Sequence, residues 1–198
     1  MTNPPETPDA IDTLMEEHRR IERAIIALVA FAEHTEDAAS DRPRLARFVT
    51  FLSRYADARH HHKEEEVLFK AMVDAGFPQR GGPIGMMLSE HDTGRAAVAL
   101  LRSLSLGTAP WNAGDRALLR EAANDYAALL FEHIRKEDGI LYPMARQHLS
   151  PAALARVTKE CRAIDAQWEA NGELDSLLSL YQELTLLLAG EPAASPAL

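Results

Sequence analysis

Two ten-residue stretches of this chain match each other, and the match dictates helix. One reads His60-His61-His62-Lys63-Glu64-Glu65-Glu66-Val67-Leu68-Phe69, the other His133-Ile134-Arg135-Lys136-Glu137-Asp138-Gly139-Ile140-Leu141-Tyr142. Counted from His60 and His133, Lys falls at +3, Glu at +4, an acid at +5, Val or Ile at +7, Leu at +8 and an aromatic at +9. Residues four apart lie about 40° apart around a helix, so each His and its Glu share one face. Composition agrees with helix. Ala and Leu fill 59 of 198 positions and β-branched Val and Ile only 14, a ratio that disfavours a sheet.

Periodicity and turn signals divide the chain. Residues 1–8, with Pro4, Pro5 and Pro8, read as an unstructured lead-in. A first helix runs from Asp9 to the mid-thirties, with Ile11, Leu14, Ile21, Ile25 and Leu28 at helical spacing. A second follows the start signal Ser40-Asp41-Arg42-Pro43, with Asp41 as cap, and ends at Gly76. A third spans about 84–106 and stops at Gly107; a fourth begins near Asp115 and reaches about Gln147. Ser150-Pro151 reads as N-cap and first-turn proline of a fifth helix, and Gly172 separates it from a sixth ending near Leu188. The expected architecture is all-α: an antiparallel up-down four-helix bundle over 9–147, a C-terminal helical hairpin over 148–189 packed on it, and a tail over 190–198.

Several function classes fall away early. A formal net charge of −9 argues against nucleic acid, which calls for clustered Lys and Arg. The longest apolar run, Ala24 to Ala32, is nine residues, where a membrane span needs about 20. No secretory signal is readable at the start, so a cytoplasmic protein is expected. Cys161 is the single cysteine and reads as a packed small residue. Leu177 to Leu188 reads as an amphipathic helix packed on the bundle, with a homodimer contact as its alternative.

The chemistry lies in the histidines. An imidazole and a carboxylate on one helix face form half a transition-metal site, and two facing half-sites enclose two ions, with each Glu free to bridge them. A lone His-x-x-x-Glu is usually a solvated pair; two in matched context are not. His18 borders the apolar stripe of the first helix, and His91 sits among Met87, Leu88 and Val98 on the third. Each alone reads as a core histidine. Together the four long helices carry His18, His60/Glu64, His91 and His133/Glu137 in order. His61 is a rival through Glu65, but the repeat selects His60 and Glu64 and leaves His61 outside the ligand set. His34 lies about 160° from His18 on one helix and drops out. His148, at a helix end, reads as solvent-facing. No Glu-x-x-His or HExxH occurs, which removes the ferritin-like and zinc-peptidase patterns.

These residues carry a resemblance. Leu14–His18, the two matched segments and residues 82–92 resemble the hemerythrin-like, or HHE cation-binding, proteins over roughly residues 10–147. The resemblance implies two non-haem iron ions with an oxo or hydroxo bridge. His18, His60, His91 and His133 would be terminal ligands and Glu64 and Glu137 bridges. It further implies binding or sensing of O2, NO or peroxide. A di-iron oxidoreductase acting on NO or peroxide is the alternative, with a redox partner the sequence does not name. The central stretch also resembles di-iron proteins of iron–sulfur cluster repair, without their cysteine-bearing N-terminal domain. O2-carrying hemerythrins place two histidines four apart on the third helix, whereas Met87 and Arg95 flank His91 here. One iron is therefore expected to carry water or to borrow Tyr55 or Tyr126.

Overall fold

The computed structural model describes residues 8–35 and 41–186, and every regular element among them is a helix. The lead-in up to residue 7, Ser40, the expected end at Leu188 and the 190–198 tail lie outside the described residues, while Asp41, expected as the cap, is the first helical residue of its helix. Helix α1 is Ala10–Glu33, α2 is continuous over 41–74, α3 is Gly82–Ser105, α4 is continuous over 113–148, α5 is Pro151–Ala170 and α6 is Glu173–Thr185.

The helix starts follow local chemistry. Asp9 caps α1, accepting from the Asp12 N–H while the Asp12 carboxylate accepts from the Asp9 N–H; Asn112 and Asp115 make the same reciprocal pair at α4. Helix α4 thus starts at Ala113, two residues before the expected Asp115, which serves the cap. Ser150 caps α5 as expected, with Pro151 in its first turn. Gly172, at φ 72°, turns the chain between α5 and α6, a backbone that favours glycine.

Neither matched segment is α-helical throughout. Helix α2 is π-helical over Leu52–His61 and Glu64–Leu68, and α4 over Glu137–Leu141. The N–H of Phe69 reaches the carbonyl of Glu64, and that of Tyr142 reaches Glu137, five residues back in each case. Such wide turns concentrate at functional sites, and both shorter ones begin on the Glu of the repeat.

Side-chain contacts fix the topology. The start of α1 meets the end of α4 through Asp9–Arg146, and its end meets the start of α4 through Glu33–Arg120. Phe31 on α1 stacks on Phe48 near the start of α2, while Glu17 meets Lys63 further along. Arg42 on α2 donates to carbonyls at the end of α3, and Glu65 accepts from His91 nearer its start. Glu90 on α3 meets His133 on α4, and Leu104 meets Trp111. Consecutive helices from α1 to α4 therefore run antiparallel.

The core is split. One apolar cluster joins Ile21, Leu28, Phe48, Leu52, Val98, Tyr126 and Leu130; the other joins Ile11, Leu14, Leu68, Met72, Met87, Leu141 and Cys161. His18, His60, His91 and His133 fall between the two clusters along their helices. No helix among the described residues is long and apolar enough to cross a membrane.

Candidate metal centre

Seven ionisable side chains fill the layer between the two apolar clusters. His18, His60, Glu64 and Glu137 bring one potential ligand atom each within 4.8 Å of one another; His61, His91 and His133 form a second group on the same criterion. All seven are buried, the two carboxylates completely. The six residues expected from sequence thus converge on one layer from four helices.

His61, which the repeat leaves outside the ligand set, is also part of this layer. It is buried, and its ring stacks on His91 with centroids 3.8 Å apart. An α-helix separates consecutive residues by about 100°; the wider π-helical turn brings His60 and His61 closer in azimuth, so both face inward. The fifth imidazole therefore comes from α2 rather than α3. The expected tyrosines do not take the vacant role either. Tyr55 stacks on Phe51 beneath Arg59, and Tyr126 lines a neighbouring cavity. The phenol at the centre is Tyr142, the repeat's aromatic at +9, whose O–H donates to Glu64 Oε1 at 2.5 Å and whose ring lies parallel to His18. Glu65, the rival carboxylate, instead holds His91 from outside. His34, His62 and His148 are exposed, the last as the sequence suggests.

Each of the five imidazoles presents Nδ1 to a carboxylate and turns Nε2 inward. His18 meets Asp138 at 2.7 Å, His60 meets Glu17 at 2.9 Å and His61 meets Asp57 at 3.4 Å. His91 meets Glu65 at 2.7 Å and His133 meets Glu90 at 3.0 Å. Metal-binding histidines show this arrangement because the carboxylate fixes the tautomer and raises ligand basicity. Cations hold the carboxylates in turn: Arg19 on Asp138, Lys63 on Glu17, Arg95 on Glu65 and Asp57, Lys136 on Glu90. The repeat's remaining positions now have a physical role. Its Lys at +3 grips the acid that precedes His18 or His91, and its acid at +5 reaches across to His91 or His18.

The interior has too many electron pairs for a closed polar cluster. His91 and His133 point Nε2 at each other across 3.1 Å. Glu64 Oε2 and both oxygens of Glu137 are buried without a hydrogen-bond partner. Glu137 Oε2 lies 3.3 Å from His18 Nε2 and 3.2 Å from His133 Nε2, and Glu64 Oε2 lies 3.5 and 3.6 Å from His60 and His91 Nε2. Each carboxylate thus faces both histidine groups. Burial and the charge of Glu137 raise the Glu64 pKa well above the usual carboxylate range. Burial also opposes ionisation of Glu137, but His133 and His18 outweigh it and hold its pKa far down. Burial pulls His18 down, yet Asp138 and Glu137 win and raise it to about 10. Protons and metal cations compete for these same atoms. Imidazole and carboxylate donors around a dry, electron-rich layer fit a transition-metal cation.

Comparison with known proteins agrees with this chemistry. A model of the hemerythrin HHE cation-binding domain matches residues 9–145. Among curated proteins, the iron–sulfur cluster repair protein YtfE of Yersinia pseudotuberculosis is 29% identical over 138 residues, covering 65% of this chain and 60% of its own length. YtfE of Yersinia pestis is 28% identical over the same shares. The chain thus spans about three fifths of the curated relatives it matches. No solved structure matches it. The chain belongs to the hemerythrin HHE cation-binding family.

Proposed function

We propose that this member of the hemerythrin family is a non-haem di-iron protein that binds or senses O2, NO or peroxide. The observation that carries the reading is the set of five inward Nε2 atoms around three partnerless carboxylate oxygens. His18 and His60 would hold one iron, His61, His91 and His133 the other, and Glu64 and Glu137 both. The cofactor is then a pair of irons with an oxo or hydroxo bridge, supplying Lewis acidity and one-electron chemistry to a small ligand.

The chain's own residues set the terms. The outer carboxylates keep the five rings oriented, and the two apolar clusters exclude bulk water. Tyr142 holds a proton at Glu64 Oε1, beside the layer. The pocket of His18 and His60 has four protein donors against five in the other. It therefore offers more open positions to a ligand, in place of the opening expected beside His91. A cavity of about 140 Å³ reaches His61 between Leu52, Gly94, Val98 and Tyr126, room for a small molecule near the centre.

A second reading, iron delivery in iron–sulfur cluster repair, rests on the likeness to the iron–sulfur cluster repair protein YtfE. Anaerobic loading with iron(II) followed by NO and by peroxide separates the readings. Binding or sensing predicts about two irons per chain and a reversible optical change without turnover. Catalytic consumption of NO or peroxide would favour the oxidoreductase; transfer of iron to an apo-cluster protein would favour repair. His61→Ala should retain about one iron. Failure of the wild type to take up stoichiometric metal would contradict every form of the reading.

A further inference from the structure

Lys63 is fully buried, and its ammonium is held by carboxylates from two different helices. Nζ lies 2.5 Å from Glu17 Oε1 on α1 and 2.9 and 3.2 Å from the two oxygens of Asp165 on α5. Arg59, one turn earlier on α2 and also buried, spans the same two partners at 2.7 Å each. The other oxygen of Glu17 accepts from His60 Nδ1 at 2.9 Å. A continuous charged chain therefore runs from Asp165 through Lys63 and Arg59 to Glu17, and ends on a histidine of the metal layer. Two cations face two carboxylates only when Asp165 is counted; without it, a net positive charge would be left buried.

The equivalent corner shows that this closure is an addition. Lys136 pairs with Glu90, and Glu90 accepts from His133, reproducing the Lys63–Glu17–His60 contacts. There the Lys and Glu side chains are 22% and 19% exposed, against 0% and 2% for Lys63 and Glu17. Asp165 lies beyond residues 9–145, the stretch matched by the family model.

We infer that Asp165 is a positioning residue for His60, and that docking of the α5–α6 hairpin and metal binding at the centre are linked through Lys63, Arg59 and Glu17. The inference rests on the metal reading above. Linkage is reciprocal: a docked hairpin tightens metal binding, and bound metal tightens docking by the same factor. The hairpin has other anchors, so it stays docked without Asp165. Trp168 packs under Arg54, Val157 and Cys161 sit in an apolar cluster, and Thr158 Oγ1 accepts from the Ala10 N–H.

Cys161, one turn before Asp165, reports docking. It is buried, and burial pushes its thiol pKa up to about 12, so alkylation needs the hairpin to open. The full-length chain would be treated with N-ethylmaleimide under anaerobic conditions, with and without iron(II), and modification of Cys161 followed by mass. Iron should slow the wild-type reaction about tenfold or more. In Asp165→Asn, iron affinity measured by chelator competition should fall about tenfold, as losses of outer partners typically do, and the iron-dependent slowing should shrink below about threefold. Glu160→Gln, on the exposed side of α5, should behave as wild type. Lys63→Met/Asp165→Leu removes one charge of each sign together. It should alkylate slowly in both states and lose the iron dependence. A wild type that binds iron but alkylates at an unchanged rate overturns the linkage and leaves the metal reading standing, as does an Asp165→Asn or double variant that keeps the full slowing. A wild type that takes up no iron overturns both.

Discussion

The corner of His60, Lys63 and Glu17 and the corner of His133, Lys136 and Glu90 use the same contacts in the same order. They differ in what lies over them. Helix α5 covers the first and supplies Asp165; the second meets solvent. The two histidines respond in opposite directions. At His60, burial outweighs the hydrogen bond to Glu17 and lowers the pKa to about 4. At His133, burial also pulls downward, but Glu137 and Glu90 outweigh it and the pKa rises. One repeated motif thus holds one imidazole with a lowered pKa and one with a raised pKa, because the surroundings, rather than the motif, set the electrostatics.

The comparison breaks most visibly at the lysines. Lys63→Met leaves Glu17 and Asp165 facing Arg59 alone in a buried site, and should cost about 3–5 kcal/mol. Lys136→Met removes half of a partly exposed pair and should cost about 1 kcal/mol or less. In a chain of this size each kcal/mol moves the melting temperature by about 2–4 °C. Thermal unfolding in the presence of a chelator should therefore show a drop on the order of 10 °C for the first variant and a few degrees at most for the second. Equal drops would mean that the cover supplied by α5 has no energetic role.

Much of the fold and part of the layer are legible in the sequence. The spacing of Leu14, Ile21 and Leu28, the turn at Gly76–Pro83 and the Ser150-Pro151 start located the helices, and the matched segments located Glu64 and Glu137. What stayed hidden has physical causes. Nothing in residue type marks a π-helical turn, so only the repeat bears on His61, and its counterpart on helix α4 offers no second His. Tyr142 was visible only as one more apolar position of the repeat. The tie between Asp165 and Lys63 joins residues 102 apart in sequence, and no local pattern encodes it. The outer carboxylates were hidden differently. Glu17, Glu65, Glu90 and Asp138 sit beside residues of the polar layer but each serves a histidine on another helix, so only packing reveals the pairing.

The opposite titration of the two corners sharpens the comparison further. With metal removed, His60 has a folded pKa below its unfolded value, so the unfolded chain takes up the proton first as pH falls from about 6.5 toward 4. Its contribution destabilises the fold progressively over that window, by up to about 3 kcal/mol. His133 does the reverse. Its stabilisation is full below about pH 6.5 and is lost as pH rises through its raised folded pKa. Denaturant midpoints measured across pH should lose part of their acid slope in His60→Gln and part of their alkaline slope in His133→Gln. The same limb flattening in both variants would show that the corners are electrostatically alike.

The central claim is that the polar layer holds two metal ions in unlike pockets. Crystals of the iron-loaded protein, with anomalous differences collected on either side of the iron edge, test it directly. The account predicts two iron peaks within the layer, one among His18, His60, Glu64 and Glu137 and the other against His61, His91 and His133. A single peak, or a second one displaced to the surface with His61 turned away, would contradict it.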